Sequence, residues 1–332
     1  MKLKTKPAKK APRAGGKFSD VVRLIKSKKS FLLTTHVSPD GDGLGAQSAL
    51  YVALKKLGKK VLVVNHDPLP RRFSYLPFTA DYRVSDNIPP HDVCFVLDAG
   101  SFSRIRDGVK RSEFGTLVNI DHHYSNDKYG DFNLVMPDAA ATGEIVYQLI
   151  QAMKVKIDQG IAESVYTSII TDTGRFRYSN TNSHIFRMAA ELLEAGADGS
   201  KVSESVFGDV TREAMELTHL ALGTIQTFNE GKIGTMTLTM SDFKKSGALD
   251  EDTDNLINLV RNLDTVKIAI FLKEVPGGQV KISLRSKNKV NVADVAKLFG
   301  GGGHAYAAGA VMPGPLQDAF QKVLTACQAT LK

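Results

Sequence analysis

Three apolar runs in this chain each end in residues of the kind that hold metal ions. Phe31-Leu32-Leu33-Thr34-Thr35 leads into His36-Val37-Ser38-Pro39-Asp40-Gly41-Asp42, residues 93–97 lead into Asp98-Ala99-Gly100, and residues 116–120 lead into Asp121-His122-His123. A fourth carboxylate, Asp172, follows the run at 165–171. Short apolar runs bounded by polar residues suit buried strands, and open α/β sheets collect their ligands at the carboxyl ends of the strands. The recurrence therefore favours a fold that brings successive strand ends to one shared site.

The pattern between these runs agrees with such a fold. Strands are expected at 31–35, 60–64, 93–97 and 117–120, with an amphipathic helix at 43–57 and helical segments at 142–153, 162–171 and 185–195. This alternation predicts a mainly parallel sheet with helices on both faces. Residues 200–228 read as helical and charged without a strand, which suits a connector. Beyond it, strand-like runs at 233–239, 266–274 and 279–285 and helical stretches at 292–299 and 315–331 predict a second, smaller α/β domain. The expected division is a basic tail over 1–16, a metal-binding domain over 17–199, a helical linker over 200–228 and a second domain over 229–332.

Composition excludes several classes. With 332 residues, 42% of them hydrophobic, the chain can bury two ordinary cores. No apolar stretch approaches the roughly 18–20 residues of a membrane helix, so a cytoplasmic protein is expected. Cys94 and Cys327 are the only cysteines, too few for a disulfide framework or a thiolate zinc site. The net charge of +8 is concentrated in Lys2, Lys4, Lys6, Lys9, Lys10, Arg13 and Lys17. A solubilising arm is the plainer reading of that tail, and weak capture of RNA the sharper one.

His36, Asp40 and Asp42 lie within seven residues, and Pro39 and Gly41 enforce a non-helical turn that lets their side chains converge. An Asp-Gly-Asp alone is ordinarily a turn, and a lone strand-end aspartate ordinarily a helix cap. Carboxylates and histidines gathered from successive strand ends are a different matter, because without cations their repulsion and desolvation would be costly. The donor number suits two divalent ions, and an oxygen-rich set favours Mn²⁺.

The motifs His36-x-x-Pro39-Asp40-Gly41-Asp42, Asp98-Ala99-Gly100, Asp121-His122-His123 and Thr171-Asp172-Thr173-Gly174 resemble, in order and type, those of the DHH phosphoesterase superfamily. The resemblance implies that His36, Asp40 and Asp98 hold one Mn²⁺ and that Asp42, Asp98, His122 and Asp172 hold the other, with Asp98 as the bridge. It further implies that His123 faces the substrate phosphate and that Asp121 supports the site without being a ligand.

Leu298-Phe299-Gly300-Gly301-Gly302-Gly303-His304 lies between an expected helix and an apolar strand, where no flexible linker is needed. Glycine N–H groups at 301–303, with His304 beside them, could wrap a phosphate. Arg285, at the end of Val280-Lys281-Ile282-Ser283-Leu284, could add a bidentate fork, although an exposed strand-end arginine is the plainer reading. Strand, arginine, helix and Gly-Gly-Gly-His together are similar to the DHHA1 substrate domain, which implies that Arg285 and His304 bind substrate phosphate. Tyr306 is a candidate for stacking on a base or for the core.

Within the superfamily, the two-domain plan is most similar to the bifunctional oligoribonuclease and 3′-phosphoadenosine 5′-phosphate (pAp) phosphatase family. That resemblance implies hydrolysis of short single-stranded RNA to mononucleotides and of pAp to AMP by hydroxide attack at two metals, with His123 and Asp98 as catalytic residues. It is also consistent with a homodimer. The alternatives are a phosphodiesterase for cyclic di-AMP or pApA, which shares every motif, and a regulator that binds nucleotide or RNA without turnover.

Overall fold

The computed structural model describes residues 17–287 and 290–331, the side chain of His304 excepted. The basic tail, with its two readings, lies outside the described residues. The chain divides between Asp209 and Val210 into two units, each with its own sheet.

In the first unit, helix α1 (Phe18–Ser27) precedes strand β1 (Ser30–Thr34), helix α2 (Gly41–Lys56) and strand β2 (Lys60–Asn65). Strands β3 (Tyr82–Val84), β4 (Val93–Leu97), β5 (Thr116–Asp121) and β6 (Phe132–Val135) complete an all-parallel sheet of order β3-β2-β1-β4-β5-β6. Helices α3 (Thr142–Ala152), α4 (Gln159–Asp172), α5 (Ser183–Glu194) and α6 (Gly199–Phe207) follow. The strand order reverses direction between β1 and β4, and this switch point is where doubly wound sheets open a crevice.

The helices do not cover both faces. Phe31, Leu33, Phe95 and Leu97 point into a core shared with α1–α6, whereas Leu32, Cys94, Val96 and Leu117 pack under Ile105, Phe114 and the loops around them. The connection from β4 to β5 forms only 3₁₀ turns at Phe102–Arg104 and Arg111–Glu113, so no crossover helix builds on that side. Nor is α2 amphipathic over its first half: residues 41–50 are buried throughout, because the helix lies between the sheet and α3 and α4.

The second unit contains α7 (Arg212–Leu222), β7 (Gln226–Phe228), β8 (Ile233–Leu238), α8 (Met240–Ser246), α9 (Leu256–Arg261), β9 (Ile268–Val275), β10 (Gln279–Ser286), α10 (Ala293–Lys297), β11 (Gly302–His304), β12 (Ala307–Pro313) and α11 (Leu316–Ala329). Its sheet runs β11-β12-β10-β9-β8-β7 and is antiparallel except between β8 and β9. Strict alternation along β10 buries Val280, Ile282, Leu284 and Ser286 on one face. That face packs on α10 and α11, while Met236, Leu238, Ala269 and Phe271 on the other face of the sheet pack with α7 and α9. β7 lies inside the segment expected to lack a strand; three residues at a sheet edge leave too short a pattern to read. Cys94 and Cys327 are buried free thiols. No described helix is long and apolar enough to cross a membrane.

Candidate metal centre

At the switch point the chain leaves β1 and β4 side by side, and both exits carry ligand-type side chains. His36 follows β1 and places Nε2 3.6 Å from Oδ2 of Asp98 and 3.7 Å from Oδ1 of Asp40. Its Nδ1 lies 2.8 Å from the Val37 carbonyl, which fixes Nε2 as the ring atom facing the carboxylates. Asp98 follows β4 with a positive φ of 58°, a backbone region that non-glycine residues seldom occupy. Asp40 also serves as the cap of α2, accepting the N–H groups of Asp42 and Gly43 at 3.0 and 3.2 Å.

A second group gathers on the other side of Asp98. Nε2 of His122 lies 3.4 Å from Oδ2 of Asp42, 3.7 Å from Oδ1 of Asp98 and 3.7 Å from Oδ2 of Asp172. Asp98 thus shows one oxygen to each histidine. Asp172 is not at a strand end: it is the last residue of α4, whose residues 161–170 are all buried. This agrees with the helical segment expected at 162–171, so Asp172 comes from a helix end whereas Asp98 and Asp121 come from strand ends.

Asp121 ends β5 fully buried, 2.7 Å from Nδ1 of His123, and also accepts from the Asn126 amide. His123 stands 3.6 Å from Oδ1 of Asp98 and remains partly open to solvent. The structure therefore brings His36, Asp40, Asp42, Asp98, His122, His123 and Asp172 together, in three groups whose ligand atoms lie within 4.8 Å of one another.

The electrostatics of this cluster call for cations. Burial pulls the His36 imidazole down, but Asp40 and Asp98 outweigh it and push it up to about 10. Burial acts likewise on His122, and Asp172, Asp42 and Asp98 push it to about 10. Burial and the charge of Asp98 hold Asp42 well above the usual carboxylate range. Burial carries Asp172 up to about 6 against the pull of His122. Without metal, protons stand in for positive charge. Nitrogen–oxygen separations of 3.4–3.7 Å are too long for good hydrogen bonds. They match neighbouring donors around one ion with bonds of about 2.0–2.2 Å. The donor set fits divalent metal ions.

Several residues that secure the carboxylates escape a reading of the motifs. Both oxygens of Asp42 accept backbone N–H groups at the start of α3, from Thr142 at 2.8 Å and Gly143 at 3.1 Å, and Ser168 of α4 also donates to Asp42. α3 has no side-chain cap of its own from Ala141, so Asp42 caps it from a distance. A methyl group on Gly143 would stand 2.1 Å from Oγ of Ser168, and one on Gly45 would stand 2.5 Å from the Ser164 carbonyl. The run Ala139-Ala140-Ala141-Thr142-Gly143 is the one sequence signal: small residues just before a helix allow such an approach.

In the second unit, Arg285 sits on β10 opposite Ala307 of β12, half-buried, and donates to the Leu284 carbonyl. Gly301 and Gly303 have a structural reason to be glycine. A side chain at Gly301 would meet the Gly309 carbonyl at 2.1 Å, and Gly303 has φ +136° and would meet the Ala307 carbonyl at 2.5 Å. Gly302 faces open space on β11, the outer strand. The backbone of His304 belongs to β11, but its side chain lies outside the described set. Tyr306 is exposed and does not belong to the core.

Comparison with known proteins agrees with this architecture. Residues 30–169 match the model of the DHH family, N-terminal domain, and residues 234–332 match that of the DHHA1 domain. The chain belongs to the DHH–DHHA1 family of phosphoesterases, hydrolases of phosphoester bonds. It is 34% identical to the bifunctional oligoribonuclease and PAP phosphatase NrnA of Thermus thermophilus, over 96% of each chain. The protein of that name from Mycoplasma genitalium is 29% identical, covering 90% of this chain and 93% of the relative. An exopolyphosphatase-related protein from Bacteroides fragilis superposes with a TM-score of 0.86 at 26% identity, over 94% of this chain and 95% of the other.

Proposed function

We propose that this protein hydrolyses short oligoribonucleotides to mononucleotides and removes the 3′-phosphate of pAp, in the cytoplasm, with two Mn²⁺ ions. The observation that carries the reading is the central position of Asp98, whose two carboxylate oxygens face His36 and His122 separately. The relatives named for these two activities support the choice of substrate.

His36, Asp40 and Asp98 would hold one ion, and Asp42, Asp98, His122 and Asp172 the other. When bound, such ions neutralise charge on the phosphoryl oxygens and acidify the attacking water. The protein supplies the rest. Asp121 holds a proton on Nδ1 of His123, so Nε2 is the atom that exchanges protons with substrate. Burial opposes protonation of His123, but the hydrogen bond and charge of Asp121 raise its pKa and keep it a competent general acid for the leaving oxygen. Arg285 would provide a fork for phosphate, and the glycine run at 301–303, with His304, would bind it alongside.

The test is turnover of purified protein with Mn²⁺ on a dinucleotide RNA, a five-nucleotide RNA, pAp, pApA, cyclic di-AMP and pyrophosphate. Faster release of mononucleotide from RNA and of AMP from pAp than any cleavage of cyclic di-AMP is expected. Preference for cyclic di-AMP would replace the reading with a signalling phosphodiesterase, and inactivity on all six would replace it with a binding protein.

A further inference from the structure

The two halves of the centre are built differently. In the His36 half the supports are local: Val37 fixes His36, and Asp40 is bonded to the first turn of its own helix. In the His122 half, Ser168 of α4 donates to Asp42, and the remaining support comes from one remote segment that offers no ligand. The Ala139 carbonyl lies 3.1 Å from Nδ1 of His122 and so directs Nε2 toward the carboxylates. The Ala140 carbonyl accepts from the Asn180 amide at 2.9 Å, and the same nitrogen donates to Oδ2 of Asp172 at 3.3 Å and to the Asp172 carbonyl at 3.2 Å. Three carbonyl-type acceptors around that nitrogen settle which way the amide is turned. Thr142 and Gly143 donate to Asp42 through their backbones. The Thr142 hydroxyl donates at 3.0 Å to Oδ1 of Asp98, the oxygen that faces His122.

Four residues of the segment 139–143 therefore reach all four donors of one half, directly or through Asn180. The segment is itself anchored, because Glu144 accepts from the Ala140 N–H at 2.8 Å. Thr142 is fully buried, so its hydroxyl has no solvent to turn to. A carboxylate oxygen has two lone-pair directions, and a donor fixed on one leaves the other aimed at an ion.

We infer that Thr142 is the positioning residue of the Asp98 oxygen in the His122 half, and that residues 139–143 are the template that sets ion occupancy in that half alone. The inference rests on the two-ion reading above. A hydroxyl that merely satisfied itself on the nearest carboxylate would leave ion affinity unchanged when removed.

The experiment is calorimetric titration of the full, metal-free chain with Mn²⁺, using His36→Ala to assign the two affinities. Thr142→Val keeps the shape of the side chain and removes the donor. It should weaken the ion of the His122 half by about 10–100-fold while the other stays within about threefold of wild type. Thr142→Ser should restore the affinity, and Asn180→Ala should weaken the same ion through Asp172, which also provides the test if Thr142→Val does not fold. Wild-type affinities in both Thr142→Val and Asn180→Ala overturn the inference, as does equal weakening of both ions in Thr142→Val and Thr142→Ser. A wild-type chain that binds fewer than two ions overturns the two-ion reading itself.

Discussion

The two units bury charge in opposite ways. In the second unit, Lys273 is 3% exposed, and its ammonium donates to Oδ1 of Asp250, to the Asp250 carbonyl and to Oγ1 of Thr253. Three N–H donors meet three acceptors, and the charge is satisfied within its own unit. In the first unit, among the described residues, the five carboxylates of Asp40, Asp42, Asp98, Asp121 and Asp172 face three imidazoles. Even fully protonated histidines leave the cluster negative. A buried charge that is matched is part of the framework, whereas an excess that the chain leaves unmatched marks where something else must bind.

Asp98→Asn should separate the two cases most strongly. It should lower turnover by on the order of 10³-fold, because both halves share this carboxylate, with circular dichroism unchanged. Lys273→Met should leave turnover within about twofold; a comparable loss in the two variants would end the contrast. His123→Ala should cost about 10²-fold in kcat/KM as a lost general acid, and a loss of only a fewfold would remove it from that role. The pH profile refines this. Asp121 holds His123 protonated above its ordinary range, so activity should fall as pH rises through that raised pKa. Asp121→Asn should move this alkaline limb to lower pH.

Mn²⁺ at about 100 times the Kd of each site should stabilise the first unit by about 2.7 kcal/mol per ion bound. Hydrogen exchange should slow in α3 and α4 and not in β9. The effect should shrink as pH falls, because His36 and His122, each pushed to about 10 without metal, must release protons before they can bind it. The smallest expected effect is in the second unit. Asp250→Ala, which strands the Lys273 ammonium, should lower stability to urea by about 1–3 kcal/mol, and Lys273→Met should lower it less. A larger loss from Lys273→Met would mean that packing and not pairing holds the lysine there.

The motif residues were legible because each ends an apolar run or sits in a turn that Pro39 and Gly41 announce. Thr142, Ser168 and Asn180 carry no such mark. Their contacts depend on α2, α3 and α4 converging, and Asp42 and Thr142 are 100 residues apart. The short strands β3, β6 and β7 escaped because three or four residues give no period. The loops on one sheet face could not be told from a missing helix by alternation alone. The glycines at 301 and 303 also have packing reasons to be bare that the sequence does not show, since bareness serves packing and ligand contact equally.

Gly45 and Gly143 lie where α2 and α3 press on α4, at Ser164 and Ser168. Two helices carry Asp42 and Asp172, and the thickness of these contacts fixes how far apart the two carboxylates stand. The calibre of the site is thus set at positions that touch no ion. One added methyl group would act as a shim, widening the seat and changing which ionic radius it suits while every ligand kept its identity.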